Sequence, residues 1–317
     1  MSGVNAPDSF IITLIPIMKI ILLGYPNRAG IEKIAQDLTP EIKKVADIVC
    51  SDFTGEKNLL RYKADAVVVL GGDGSIFRAV NQMGEKQRPL IAVNLGRLGF
   101  LADVALEELV PLLKLFDGKA LPVVPLMMYQ CRILRNGKAI KTIQGVNEAA
   151  ILNGAPFDIM EIKLYADKTD SVTRRSLADA PAPFDQRFEL VTTYSCDGLI
   201  ISTPVGSTAH NLSAGGPILH KTMQAFVVCP ISAHTLTNRP VVDDANRVFV
   251  MEIVNPNPET SVVVDGQILD RLEPGDLVEI RKSHLSVQLV AAPNKSYYQT
   301  LREKLGWSGQ PIYRVRN

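Results

Sequence analysis

Cysteine is scarce in this chain and never paired. Cys50, Cys131, Cys196 and Cys229 are scattered, with no Cys-x-x-Cys spacing. That excludes a disulfide framework and a zinc knuckle, and suggests a reducing cytoplasm. Histidine is as sparse: His210, His220, His234 and His284 are spread out, and no His-Glu-x-x-His helix appears. Neither sign of charge dominates. Lys and Arg number 34 against 33 Asp and Glu, a net charge of +1, so nothing marks the chain for nucleic acid or for basic partners.

Long hydrophobic runs are missing too. The stretch from Phe10 to Leu23 is broken by Pro16 and Lys19, and a spanning helix needs about 20 apolar residues. It has neither a basic leader nor a small-residue cleavage site, so it reads as no signal peptide. Three nucleotide and hydrolase signatures are also absent: Gly-x-x-x-x-Gly-Lys-Ser/Thr, a full Gly-x-Gly-x-x-Gly, and Gly-x-Ser-x-Gly. What is present is ordinary globular composition, 46% hydrophobic and 21% charged over 317 residues, room for about two domains.

The first third alternates strand and helix. Residues 1–17 read as a flexible extension. Lys19–Gly24, Ala64–Leu70 and Pro89–Leu95 read as buried strands, and Ser75–Met83 as a helix. Ile31, Ile34, Ala35 and Leu38 fall at helical spacing. Thr39 before Pro40 predicts a cap that restarts a helix through Val45. Apolar strands separated by helices imply a parallel sheet covered on both faces. After about residue 120 the rhythm becomes β. Met127–Leu134 and Lys138–Ile143 flank Asn136-Gly137, a hairpin signal. Met160–Tyr165, Val248–Val254, Leu277–Ile280 and Leu285–Val290 alternate at period two. Residues 166–188, polar and with adjacent arginines, read as a mobile loop. Tyr297, Leu301 and Leu305 share one helical face. The expected architecture is an α/β domain over 18–120 with a parallel, Rossmann-like sheet. A mostly-β sandwich domain follows over 121–290, and a helix within 291–317 packs back on the first domain.

Chemistry concentrates in five places. Gly71-Gly72-Asp73-Gly74-Ser75 follows a strand and opens a helix, the usual ligand edge of an open α/β sheet. Glycines let a backbone approach phosphate, and helix amides attract it. A carboxylate among them is either a helix cap or a base that takes a proton from an attacking hydroxyl, as phosphoryl transfer requires. Asn94–Leu101 places a second glycine loop on the same edge. Asn147-Glu148 offers donors and acceptors before the apolar run Ala149–Leu152, or is a polar strand end. Cys196–Pro217 runs from a strand into small residues rich in hydroxyls and glycine, suited to a planar polar ligand. Asp265-Gly266-Gln267 ends an apolar strand, and by itself reads as a hairpin turn.

Taken together, these motifs resemble the NAD kinase family from Met18 to the C-terminal helix. Gly-Gly-Asp-Gly alone reaches only a superfamily that includes diacylglycerol, sphingosine and phosphofructokinase enzymes. More specific are Asn147-Glu148, the run Asp197-Gly198…Ser202-Thr203-Pro204-Val205-Gly206-Ser207-Thr208-Ala209, His234-x-Leu236-x-x-Arg239-Pro240 and Asp265-Gly266-Gln267. The resemblance implies a kinase that phosphorylates the 2′-hydroxyl of the adenosine ribose of NAD with ATP (polyphosphate being an alternative donor), giving NADP. It implies Asp73 as general base, Asp73 and Gly74 touching the dinucleotide, and Gly71, Gly72, Gly74 and Ser75 as the phosphate loop. Asn147 and Glu148 would bind the ribose and adenine side, and Asp197 the nicotinamide end across a subunit contact. Thr208, Ala209, His210, Asn211, Leu212 and Ser213 would line the adenine pocket, with Gln267 at its far edge. It further implies Mg²⁺ or a similar ion carried with ATP and not held by the protein, a cytoplasmic home, and a homo-oligomer, dimer or tetramer. Departures from the family pattern are His210 for tyrosine, Val205 for threonine and Ala233 for proline. Asp158 stands where some relatives carry a basic contact, and the 166–188 segment is longer than in most. A lipid kinase with the same glycine motif, and a non-catalytic NADP-binding regulator, are the competing readings.

Overall fold

The computed structural model describes residues 17–25, 30–96, 99–116, 120–168, 187–235, 237–292 and 295–307. The expected extension, apart from Ile17, and residues 169–186 of the expected mobile loop lie outside them. In chain order the elements are β1 (Met18–Leu23), α1 (Ile31–Ile42), β2 (Ala46–Asp52), β3 (Ala66–Gly71), α2 (Asp73–Met83), β4 (Leu90–Asn94), β5 (Val104–Ala105) and α3 (Leu109–Leu115). There follow β6 (Val123–Arg135), β7 (Lys138–Gly145), β8 (Glu148–Leu152), β9 (Met160–Asp167), β10 (Phe188–Cys196), β11 (Gly198–Ser202) and the single turn α4 (His210–Ser213). The chain closes with β12 (Ala225–Ile231), β13 (Val241–Asp244), β14 (Phe249–Ile253), β15 (Ser261–Val264), β16 (Gln267–Arg271), β17 (Leu277–Val290) and α5 (Tyr297–Leu305).

Among the described residues these strands make two sheets, of eleven and six strands. The first third supplies a parallel run in the order β2-β1-β3-β4. Side chains alternate across it. Ile21, Leu23, Val67 and Val69 pack under Ile76, Val80 and Met83 of α2. Ile20, Leu22, Val68 and Leu70 pack on the other face against α1 and α3. Every residue of β3 is buried, as a strand covered on both faces requires. Fully burying each large apolar side chain contributes about 1.5–3 kcal/mol, so this strand is held strongly at the position that aims Gly71-Gly72-Asp73 at the sheet edge. The order reverses between β1 and β3, the place where open α/β sheets form a ligand crevice.

β17 joins the two halves. Leu289 pairs parallel with Leu90 of β4, and β6 runs antiparallel along β17 from Leu277 to Val290. The smaller sheet, β13-β12-β11-β8-β15-β16, packs over the antiparallel part of the larger one. Tyr129, Ile162, Met251 and Ile280 meet Ile151, Ile201, Phe226 and Val264 in one core. Phe226 and Phe249 pack edge to face across it, 6.1 Å between centroids. The fold is an α/β unit with parallel strands joined to a mostly-β sandwich, as the sequence predicts.

Three local expectations change. No helix restarts at Thr39: α1 runs through Pro40, and only two helical residues follow the proline, so its missing donor affects just the last turn. Thr39 turns its hydroxyl back to the Ala35 carbonyl at 2.7 Å instead of capping. Ala46–Asp52 is a further parallel strand, on the edge beside β1. The two segments expected at 277–280 and 285–290 are one strand, because pairing with β6 continues past the irregularity between Lys282 and Ser286. The Asn136-Gly137 hairpin is present, with φ of 52° and 74°, the left-handed pair such a two-residue turn needs. α5 begins where the Ser296 hydroxyl accepts from Gln299 N. It touches both halves. The Tyr297 hydroxyl donates to Leu219 O at 2.8 Å, and Lys304 lies over the Phe100 ring, 5.2 Å from its centroid. No helix among the described residues is long and apolar enough to cross a membrane.

Candidate active site

Asp73 is the first residue of α2, directly beyond the Gly71-Gly72 turn. Its carboxylate accepts three backbone N–H bonds from the loop after β4. Phe100 N reaches Oδ2 at 2.8 Å, while Leu101 N and Ala102 N reach Oδ1 at 3.1 and 3.0 Å. The acid therefore does not float at the helix start. It is clamped to the second glycine loop, and its orientation is set before any ligand arrives. Oδ2, with one amide partner, keeps a lone pair for another donor. Gly71 is required by close packing, since a Cβ there would overlap the Ser75 hydroxyl. Gly72 and Gly74 face open space, and Gly74 is exposed.

Asp73 lines a cavity of roughly 240 Å³ between the halves of the molecule. Phe77, Phe100 and Leu101 wall it from the parallel-sheet side, Asn147, Val205, Thr208 and Ala209 from the sandwich side. Asn147 is pinned through its backbone. Its N–H donates to Asp265 Oδ1 at 2.7 Å, and its carbonyl accepts from Thr203 N at 2.8 Å. The loop after β11 is bound internally: the Thr203 hydroxyl donates to Val146 O at 2.6 Å, and Gly206 N to Thr203 Oγ1 at 3.2 Å.

The remaining expected residues separate. Asn211 is fully buried, and its amide donates to Ser207 O and Pro217 O, both at 3.1 Å. It staples the loop instead of facing the cavity. His210 and Ser213 are exposed, and Leu212 is half-buried. Gln267 is exposed at the start of β16. Asp197 is exposed at the other end of β11, 4.0 Å from His234 Nε2. Five residues of strand put it about 16 Å from the Ser202 end. Glu148 is buried at 6% exposure, outside the cavity lining, and its Oε2 has no hydrogen-bond partner. Burial, then the neighbouring Asp265 charge, push its carboxyl up to about 8. Asp265 is also pushed up by burial, but three backbone amides and Tyr129 hold it at about 6. Burial thus raises both carboxyls, and the three amides and Tyr129 keep Asp265 the more acidic of the two.

Sequence reasoning quoted Asp265 and Thr203 within motifs but gave neither a role, and it gave none to Phe77 or Phe100. Asp265-Gly266 was visible as a turn, but its partners lie more than a hundred residues away. A second hollow of roughly 250 Å³ lies between α3 and Ala292. Its acids, Glu107 and Glu108, are exposed, and none of the five motifs reaches it.

The open parallel sheet thus aims a glycine turn and one clamped carboxylate at a small-residue loop of the β-sandwich. A family model described as the ATP-NAD kinase N-terminal domain matches residues 31–117, and one described as the ATP-NAD kinase C-terminal domain matches residues 185–292. The chain belongs to the NAD kinase family. It is 41% identical to an NAD kinase of Rhodopirellula baltica over 92% of this chain and 88% of that one. It is 33% identical to an NAD kinase of Geotalea daltonii, over 86% and 90%. Two solved structures share the fold. A yeast NADH kinase complexed with NADH superposes with a TM-score of 0.77 at 18% identity, covering 95% of this chain and 90% of that one. An NAD kinase from Archaeoglobus fulgidus in complex with ATP gives 0.66 at 22% identity, covering 91% and 99%.

Proposed function

We propose that the cavity between the two halves phosphorylates the 2′-hydroxyl of the adenosine ribose of NAD with ATP, giving NADP and ADP. One observation carries this reading: Asp73, clamped by three amides, lines the same cavity as Asn147 and Thr208. The ribose hydroxyl donates to Asp73 Oδ2 and passes its proton there as its oxygen attacks the γ-phosphorus and the bond from that phosphorus to the β,γ-bridging oxygen breaks, releasing ADP. Phosphoryl transfer depends mostly on positioning and charge, so a preset acceptor is the useful part. Gly71, Gly72, Gly74 and Ser75 form the phosphate loop: Gly71 packs against Ser75, Gly72 and Gly74 leave room for phosphate, and helix amides favour it. Asn147 serves the ribose and adenine side from the cavity wall, with the adjoining Glu148, buried outside that lining, beside it, and Thr208 and Ala209 floor the adenine pocket with the loop through Ser213. Asp197, held about 16 Å along β11, meets the nicotinamide end across a subunit contact, which makes the working form a homo-oligomer.

We propose that a divalent ion arrives with the triphosphate. Among the described residues no three His, Cys, Asp or Glu side chains gather as ligands, and Asp73 is the one carboxylate lining the cavity. When bound, a divalent ion neutralises charge on the phosphates. We place the enzyme in the cytoplasm, with four free cysteines all buried, and keep the division near residues 120 and 290 as its domain boundaries.

Incubating the protein with NAD, Mg²⁺ and either ATP or polyphosphate, then detecting NADP with an NADP-specific dehydrogenase, tests the reading. NADP formation with ATP is expected. No NADP from either donor would overturn it, as would faster turnover on diacylglycerol or sphingosine. Tight NADP binding without turnover would point to a regulator.

A further inference from the structure

We infer that Asp265 is a positioning residue that sets the cavity side of Asn147, although it does not line the cavity itself. The inference rests on the reading that Asn147 contacts the dinucleotide. Asp265 begins the turn between β15 and β16, at φ 47°, and the adjoining Gly266 is at φ 78°. That left-handed pair makes a two-residue hairpin turn, which is all the sequence required of it. The structure gives it a second task. Its carboxylate reaches across to the segment between β7 and β8 and accepts Val146 N at 2.8 Å on Oδ2. On Oδ1 it accepts Asn147 N at 2.7 Å and Glu148 N at 3.2 Å. The Tyr129 hydroxyl donates to the same Oδ1 at 3.3 Å. In return Asp265 N donates to Glu148 O at 3.0 Å.

A turn aspartate needs one such bond to cap its own turn; this one accepts three amides from a segment more than a hundred residues away. With Asn147 O fixed by Thr203 N at 2.8 Å, both the N–H and the carbonyl of Asn147 are held. Held in this way, Asn147 lines the cavity together with Asp73. An ionised carboxylate suits the task because it accepts on both oxygens. Asn at the same place would turn a donor toward an amide N–H, leaving both unsatisfied.

A double-mutant cycle tests this, with KM for NAD, KM for ATP and kcat measured for each variant of the full-length enzyme. Asn147→Ala is expected to raise KM for NAD about tenfold. Asp265→Asn is expected to do the same with KM for ATP unchanged. The double variant is expected to match Asn147→Ala alone, since residues acting through one contact are not additive. If Asp265→Asn does not yield folded protein, Tyr129→Phe decides. It removes one donor to the carboxylate, and a two- to threefold rise in KM for NAD that vanishes in the Asn147→Ala background is expected. Multiplying effects, or an Asp265 variant that lowers only Tm, would overturn the positioning role and leave the functional reading standing. An unchanged KM for NAD in Asn147→Ala would overturn both.

Discussion

Gly99 passes so close to Asp73 that a Cβ on it would overlap Oδ1 and press on Ala102 N. The amide clamp on the carboxylate exists because this residue has no side chain. Gly99→Ala should therefore push the carboxylate out of the clamp while the two cores stay intact. Displacing a catalytic group by about 1 Å costs on the order of 100-fold in rate. We expect kcat to fall by about that factor, with a change in Tm of only a few degrees in a thermal melt. Turnover within twofold of wild type would show that the clamp does not matter.

Glycines on the two sides of the cavity should behave differently. A Cβ on Gly206 would overlap the Asn147 carbonyl and crowd the Ser202 hydroxyl. Backbone cannot swing aside, and overpacking typically costs about 1–3 kcal/mol. Gly206→Ala should lower Tm by several degrees and weaken NAD binding together. A Cβ on Gly74 would meet nothing within 4 Å. Gly74→Ala should leave Tm unchanged and reduce only turnover and substrate affinity. Calorimetry beside steady-state kinetics on both variants separates the two cases.

Glu148 predicts a pH dependence of stability. Its carboxyl moves from an ordinary 4.5 to about 8 in the folded protein, through burial and then the Asp265 charge. Between those values the folded protein binds a proton that the unfolded chain has released. Stability from this group is thus complete below about pH 4.5 and is lost as pH rises toward 8. The loss is on the order of a few kcal/mol. Glu148→Gln fixes the neutral form, so its Tm should fall less than that of the wild type between pH 5 and pH 8.5. Parallel curves for the two proteins would show that Glu148 is ionised in the fold.

The motifs were legible where the chemistry is local. Gly71-Gly72-Asp73 could be read because a buried strand, a glycine turn and a helix start are consecutive. The Asn136-Gly137 hairpin was readable for the same reason. What was hidden depends on partners distant in the chain. The amides of Phe100, Leu101 and Ala102 come to Asp73 from 27 to 29 residues away, and no periodicity records such a meeting. Asn211 looked like a ligand residue because it lies among small polar neighbours, yet two carbonyls of its own loop take its amide. β2 escaped because its burial is incomplete, with Asp47 exposed and Ile48 and Val49 half-covered, so it lacks the continuous apolar run of β3. Thr39-Pro40 misled because a proline at the last turn of a helix and one at the first turn look alike in sequence.

In the proposed reaction Asp73 takes the ribose proton. Rapid-quench single-turnover kinetics of Asp73→Asn, with saturating NAD and ATP-Mg²⁺ and with NAD affinity measured by calorimetry, tests it most directly. We expect a rate lower by on the order of 1,000-fold, with the NAD dissociation constant changed by less than about tenfold. A single-turnover rate close to that of the wild type would contradict it.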